Sequence, residues 1–405
     1  LVKTNGHALR KCRSWIESFV EYTDNIEAPE VFRRWAAITI IASVLEQKVW
    51  ITTSSPLYPN LYCFIIGHPG VGKTRTVRAA AEFVRDIPDF HCGDTSMTSA
   101  SLTDRMAESR RVIPEYKLEY NTMLLPVDEF SAFIGKYDDN LVGLLTTFYD
   151  VDINYSQSRR GKDLRVRINR PQLSMLCGST PSHLLKAVPE FAWDQGFTSR
   201  VILIFSDERP MLEDVFSTPR RAMPEDMKHD LRVINALVGQ CRPTSGYAKA
   251  INDWRHAGQP PCPGHPRLTH YCTRRLAHVF KLSIVASVDR GDSLELTEGD
   301  FEIARGWLLS AEERMGEVFK AGAVGADAKA IEEIMHFITV ADVKGEGVYE
   351  SKIIRFVSER IPIHSVMRVL EIMEKSRMIK AVRLDPKTGM KVYSAVALGS
   401  LAADR

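Results

Sequence analysis

Apolar side chains along this chain fall into two alternating rhythms. Between residues 9 and 47 they recur at helical spacing, through Trp15, Ile16, Phe19 and Val20 and then Phe32, Trp35, Ile38 and Ile41, which predicts two helices. Further on they gather into short runs, at residues 61–66, 123–127, 173–177 and 201–205, separated by helical stretches such as 73–84. Short apolar strands alternating with helices predict a parallel α/β sheet. Residues 257–266, rich in proline and glycine, mark a connection, and 273–288 and 299–318 read as helices. The stretch 321–325 reads as a linker. Beyond it, residues 327–396 give three helical segments and two short strands joined by Asp385-Pro386-Lys387-Thr388-Gly389.

Composition changes this picture little. The 405 residues are 44% hydrophobic and 26% charged, ordinary for a globular chain and enough for two or three domains. The longest apolar run, residues 35–45, falls far short of the roughly 20 residues of a membrane span and predicts a buried helix, with no membrane partner. Seven cysteines, odd in number and scattered, suit a reducing compartment, so the expected location is cytoplasmic. Lys and Arg total 53 against 51 Asp and Glu, a net charge of +2 that gives no global attraction to polyanions.

Candidate chemistry centres on Gly67-His68-Pro69-Gly70-Val71-Gly72-Lys73-Thr74, a full G-x-x-x-x-G-K-[ST] pattern between a predicted strand and helix. Its glycines let successive N–H groups face phosphate oxygens, and the helix N-terminus adds partial positive charge. Gly67, Pro69, Gly70, Val71, Gly72, Lys73 and Thr74 are thus expected to bind ATP. Lys73 would supply a point charge for the β- and γ-phosphates and Thr74 a hydroxyl ligand for Mg²⁺. The strand at 123–127 ends in Asp128-Glu129, where Asp128 would hold the Mg²⁺ shell and Glu129 would polarise an attacking water. Either could instead be a strand-end carboxylate capping a helix. Thr180, after the third run and before Pro181, could orient that water or serve only as a strand-end turn.

With these motifs the chain resembles the AAA+ ATPases, and more narrowly the superfamily 3 and phage or plasmid replicative helicases. The resemblance rests on the phosphate loop, Asp128-Glu129, Gly178-Ser179-Thr180-Pro181, Gly196-Phe197-Thr198-Ser199-Arg200, and Tyr271-Cys272-Thr273-Arg274-Arg275 leading into Lys281-Leu282. It spans about residues 28–318, with Thr180 where AAA+ proteins commonly carry asparagine. The resemblance implies an α/β fold with an AAA+ P-loop core carrying a basic β-hairpin insert (57–210) and a helical lid (211–320), while the residue pattern on either side adds an N-terminal helical segment (1–56) and, from three helices and a hairpin, a winged-helix domain (325–400). It also implies a ring, expected to be a hexamer, with Arg200 reaching a neighbouring subunit's nucleotide as an arginine finger. Arg274 or Arg275 would act as the lid's sensor. The competing reading makes Arg200 part of an intrachain salt bridge.

Nucleic-acid contact is expected in two places. Residues 155–170 read as a hairpin whose returning strand alternates Leu164, Val166 and Ile168 with Arg165 and Arg167. Six basic residues against Asp163 give it a net +5. In ring helicases of this type such a hairpin lines the pore, so Arg159, Arg160, Lys162, Arg165 and Arg167 would grip single-stranded DNA. Residues 375–391 carry a second +5, including Lys387 and Lys391, where a winged helix would meet duplex phosphates or a replication protein. Two glutamates on the preceding helix, Glu371 and Glu374, argue against base reading there.

The spacing of Cys262, His265, His270 and Cys272 matches no usual zinc motif. The function expected is therefore an ATP- and Mg²⁺-dependent DNA helicase or translocase of phage-type replication, located in the bacterial host cytoplasm if phage-encoded. The alternatives are a non-unwinding helicase loader or origin-binding initiator, and a DNA-binding regulator whose ATPase switches its assembly.

Overall fold

The computed structural model describes residues 9–134, 139–151, 154–158, 165–188, 196–212, 224–342, 347–358, 363–386 and 388–396. The chain divides into two compact units, Leu1–Phe319 and Lys320–Arg405.

The first unit is built on a five-stranded sheet. Its strands are β1 (Tyr62–Ile66), β2 (Arg110–Ile113), β3 (Leu118–Val127), β4 (Pro171–Ser179) and β5 (Val201–Phe205), in spatial order β2-β3-β4-β1-β5. β3, β4, β1 and β5 run parallel, and β2 pairs antiparallel with β3. Every residue of β1, β4 and β5 is buried, which is why β1 and β5 read as continuous apolar runs and β4 as a mostly apolar one interrupted by Gln172 and Ser174. Register aligns Ile66 with Ser179 on one side and with Phe205 on the other. The residues that follow these three strands therefore emerge at one edge of the sheet.

Helices cover both faces. On one, Cys63 of β1 meets Thr39 of α2 (Glu30–Val44), which is buried throughout from Trp35 onward, as its unbroken apolar run predicts. α2 packs on α1 (Trp15–Tyr22) and on α3 (Lys73–Val84). On the other face, Tyr62 and Phe64 enter an aromatic cluster with Phe130, Tyr149 and Phe197. The region expected to be a helical lid contributes α4 (Arg275–Gly291) and α5 (Glu298–Met315), but also two strands. These, Gly239–Pro243 and Glu295–Leu296, join Val49–Thr52 and Pro56–Leu57 in a second sheet, so the N-terminal, core and lid segments fold as one unit. The β2 strand and the backbone of Cys92 and Gly93 pair along β3, and α5 packs against β5.

One helix, Glu317–Ala341, runs through residues 321–325, correcting the linker expected there. That stretch is rich in alanine, whose helix propensity is the highest of any residue. The second unit then presents strand Val348–Tyr349, helices Glu350–Val357 and Ile363–Lys375, and strands Ile379–Leu384 and Lys391–Ala395. Three helices and a hairpin are the elements the sequence predicts. The short strand at 348–349, too brief to leave an apolar pattern, pairs with 391–395 to complete a three-stranded sheet.

Candidate active site

The glycine-rich loop leaves β1 and enters α3 at the sheet edge where β1, β4 and β5 end. Two of its glycines have left-handed backbone, Gly70 at φ +85° and Gly72 at φ +74°, a region that penalises any side chain. At Gly72 space also forbids one: a Cβ would lie 2.6 Å from that of Ala28 and 2.7 Å from the Glu27 carbonyl oxygen. Lys73, the first residue of α3, is largely buried, and its Nζ donates to the carbonyls of Gly67 and His68 at 2.8 Å each. Burial lowers the pKa of this ammonium, and Glu129 opposes that shift. The loop thus closes around its own cation.

The acidic pair follows β3, beyond β4 from the loop. Asp128 Oδ2 accepts from Arg78 Nε at 2.9 Å and Nη2 at 2.5 Å, while its Oδ1 is buried with no hydrogen-bond partner. Glu129 Oε1 accepts from Ser179 Oγ at 2.9 Å and from Ser131 Oγ at 3.2 Å, with His183 Nδ1 at 3.7 Å. The close approach of β4 to this pair requires glycine at 178, where a Cβ would lie 2.5 Å from the Asp128 carbonyl oxygen. Thr180 performs the alternative role foreseen for it. Its hydroxyl caps the helix Pro181–Ala187 by accepting from the His183 N–H at 3.3 Å, so the hydroxyl that reaches Glu129 belongs to Ser179.

The arginines expected around the nucleotide lie elsewhere. Arg200 immediately precedes β5, at the opposite edge, and β1 alone separates the two edges by about 13 Å. Its guanidinium is turned inward, paired with Asp150 and bonded to the Gly196 carbonyl, with the Tyr149 ring 5.9 Å away. This is the intrachain ion pair of the competing reading. Arg274 binds the other oxygen of Asp150 at 3.1 Å. Burial disfavours ionised Asp150, but Arg200 and Arg274 outweigh it and hold the carboxyl below its usual range. Arg275 is wholly buried in a two-point pair with Glu312 at 2.7 Å for each contact, and also donates to the carbonyl of Pro261. Both lid-sensor candidates are thus engaged within the chain, Arg274 by Asp150 and Arg275 by Glu312. The edge of Arg200 also holds Lys281, whose Nζ donates to both oxygens of Asn60 at 2.8 Å and lies 3.9 Å from the centre of the Tyr149 ring. Burial pushes its pKa well below the usual lysine range.

At the loop's edge the structure reveals residues that the sequence reading missed. Arg314 of α5 pairs with Asp207, two residues past β5, at 2.7 Å, and its guanidinium lies over the Phe205 ring. Arg78 stands one helical turn beyond Thr74, a neighbour on the same face by spacing alone. Proline after Thr180 marks a helix start, a signal that would have assigned the threonine to the cap. No local pattern announces Arg314.

The hairpin arms form as expected, Tyr155–Ser158 against Arg165–Ile168, with Ser156 opposite Arg167. Ile168 is buried and Arg167 exposed, which bears out the alternation. Arg159, Arg160, Lys162 and Leu164 lie outside the described residues, as does Lys387, and of Arg165 only the backbone is described. Lys391 is paired with Glu374 at 2.7 Å and Lys375 with Glu371 at 2.7 Å, so part of the second basic patch is neutralised within the chain.

All seven cysteines are free thiols. Among the described residues no three His, Cys, Asp or Glu side chains gather as metal ligands, and no helix is long and apolar enough to cross a membrane. No family model and no curated protein matches this sequence.

Proposed function

We propose that this chain is an ATP-hydrolysing motor of the AAA+ type, resembling phage-type replicative helicases, that assembles as a ring and moves on single-stranded DNA. One observation carries the nucleotide reading. A complete phosphate-loop sequence joins a central parallel strand to a helix N-terminus at the sheet edge where Asp128 and Glu129 also emerge. Ligands of open α/β sheets bind beyond the carboxyl ends of the strands, at such an edge.

The residues fit ATP with Mg²⁺. Asp128 is not fully engaged within the fold: its Oδ1 has no hydrogen-bond partner and its Oδ2 meets only the exposed Arg78, which leaves the carboxylate able to meet the water shell of a cation. Lys73 is held by two loop carbonyls alone, bonds it can exchange for phosphate oxygens. When bound, Mg²⁺ neutralises charge developing on the phosphates. Thr74 and Asp128 would hold it, Lys73 would bind the β- and γ-phosphates, and Glu129, oriented by Ser179, would accept a proton from the attacking water. Arg200, Arg274 and Arg275 are left out of this set. The basic hairpin, with Arg167 exposed on its described arm, supports contact with a phosphate backbone.

A second reading, a helicase loader, is favoured by the second unit, whose fold we read as a winged helix. Its third helix exposes Met367, Glu371 and Ile372, a surface suited to protein rather than to phosphate. ATP-dependent unwinding of a forked duplex, lost in Lys73→Ala with a fall in ATP hydrolysis of about 100-fold or more, is expected of the motor. ATP hydrolysis without unwinding or strand dependence would favour the loader.

A further inference from the structure

We infer that Arg78 competes with the divalent cation for Asp128, so that metal-nucleotide binding must first displace an ion pair internal to the chain. The inference rests on the nucleotide reading above. Both Arg78 contacts, Nε at 2.9 Å and Nη2 at 2.5 Å, converge on one oxygen of the carboxylate, leaving the other buried and unpartnered. An isolated ion pair at the surface would gain from engaging both oxygens, as a guanidinium fork readily does. Here Oδ1 is buried, and Oδ2 is occupied by a cation the chain itself supplies. A guanidinium at that oxygen excludes a metal-bound water from it, and its positive charge opposes a dication close by. The two partners differ in what holds them. The Arg78 side chain is 72% exposed and sits one turn beyond Thr74, free to swing into solvent, whereas that of Asp128 is 23% exposed and fixed at the end of β3. An exposed pair of this kind is weak, so it would raise the cation requirement without abolishing binding.

The test is a Mg²⁺ titration of the full chain at fixed fluorescent ATP analogue, read as nucleotide-bound fluorescence rather than turnover. In Arg78→Gln the half-saturating Mg²⁺ concentration should fall about two- to five-fold, the range expected for losing an exposed ion pair. The two proteins should converge at saturating Mg²⁺, and Arg78→Lys should fall between them. Equal thermal midpoints in EDTA would show the fold intact; Arg78→Lys keeps the comparison if Arg78→Gln proves unstable. An unchanged requirement would overturn the inference. So would a raised one, which would make Arg78 a positioning residue that orients Asp128. If neither protein binds the analogue even at saturating Mg²⁺, the nucleotide reading itself fails and takes this inference with it.

Discussion

The two edges of the large sheet are made from the ends of the same strands, yet they spend their charges differently. At the amino-terminal edge Asp150 is met by Arg200 and Arg274 and Lys281 by Asn60, and Arg275 on α4 is met by Glu312, though Arg200 Nε and His278 Nδ1 stay buried without a partner. At the carboxyl edge Arg314 meets Asp207 and Arg78 meets one oxygen of Asp128, but the other oxygen of Asp128 has no partner and Glu129 meets only hydroxyls and a distant histidine. Ion pairs closed within the chain fix structure, whereas a carboxylate pair only partly engaged invites a ligand. The lesson is that an arginine beside a strand end says little until its counter-charge is known.

The largest effect that would sharpen this contrast is at Arg275. Replacing it with alanine leaves Glu312 buried and unpaired and should cost about 3–5 kcal/mol, seen as a lowered denaturation midpoint. The partly exposed Arg274→Ala should cost well under half as much. Equal costs would break the comparison.

A smaller effect is expected with pH. His278 is fully buried, with Nε2 on the Ser199 carbonyl and Nδ1 without a partner, and burial lowers its pKa to about 3. Between its ordinary value of about 6.5 and 3 the unfolded chain binds a proton that the folded chain does not, so stability falls as pH drops through this window. The loss at pH 5 should be about 2 kcal/mol, and the slope should flatten in His278→Leu when melting is followed from pH 7 to 5. An unchanged slope would mean that this edge tolerates a new charge.

The smallest effect separates two adjacent hydroxyls. Thr180→Ala should cost about 1 kcal/mol of stability through its lost cap and leave nucleotide affinity intact. Ser179→Ala should slow hydrolysis with little change in the melting midpoint. The reverse pattern would restore Thr180 as the residue acting on the water.

Much of the fold was legible because its strands are buried on both faces and so appear as largely apolar runs. β5 and α3 occupy the very residues the pattern marks, 201–205 and 73–84, and the phosphate loop falls between its strand and helix. The 321–325 segment misled because glycine and alanine together suit both a linker and a helix, and alanine prevailed. The roles of Arg200, Arg274 and Arg275 were not legible for a different reason. Their partners, Asp150 and Glu312, lie 37 to 124 positions away in sequence, and only the folded chain brings them together. Ser179 was overlooked beside Thr180 because a hydroxyl that caps a helix and one that reaches a carboxylate look alike in sequence.

The order of the large sheet has a consequence for assembly. Its outermost strands are β2 and β5, each laddered to a neighbour on one side. β5 is buried throughout and packs against α5, whereas β2 is partly exposed, so β2 is the margin along which another strand could add. It is only four residues long and carries Arg110 and Arg111, and a short, charged edge of this kind discourages such pairing between copies. A neighbour that meets this margin through side chains instead can slide or rotate without tearing backbone hydrogen bonds.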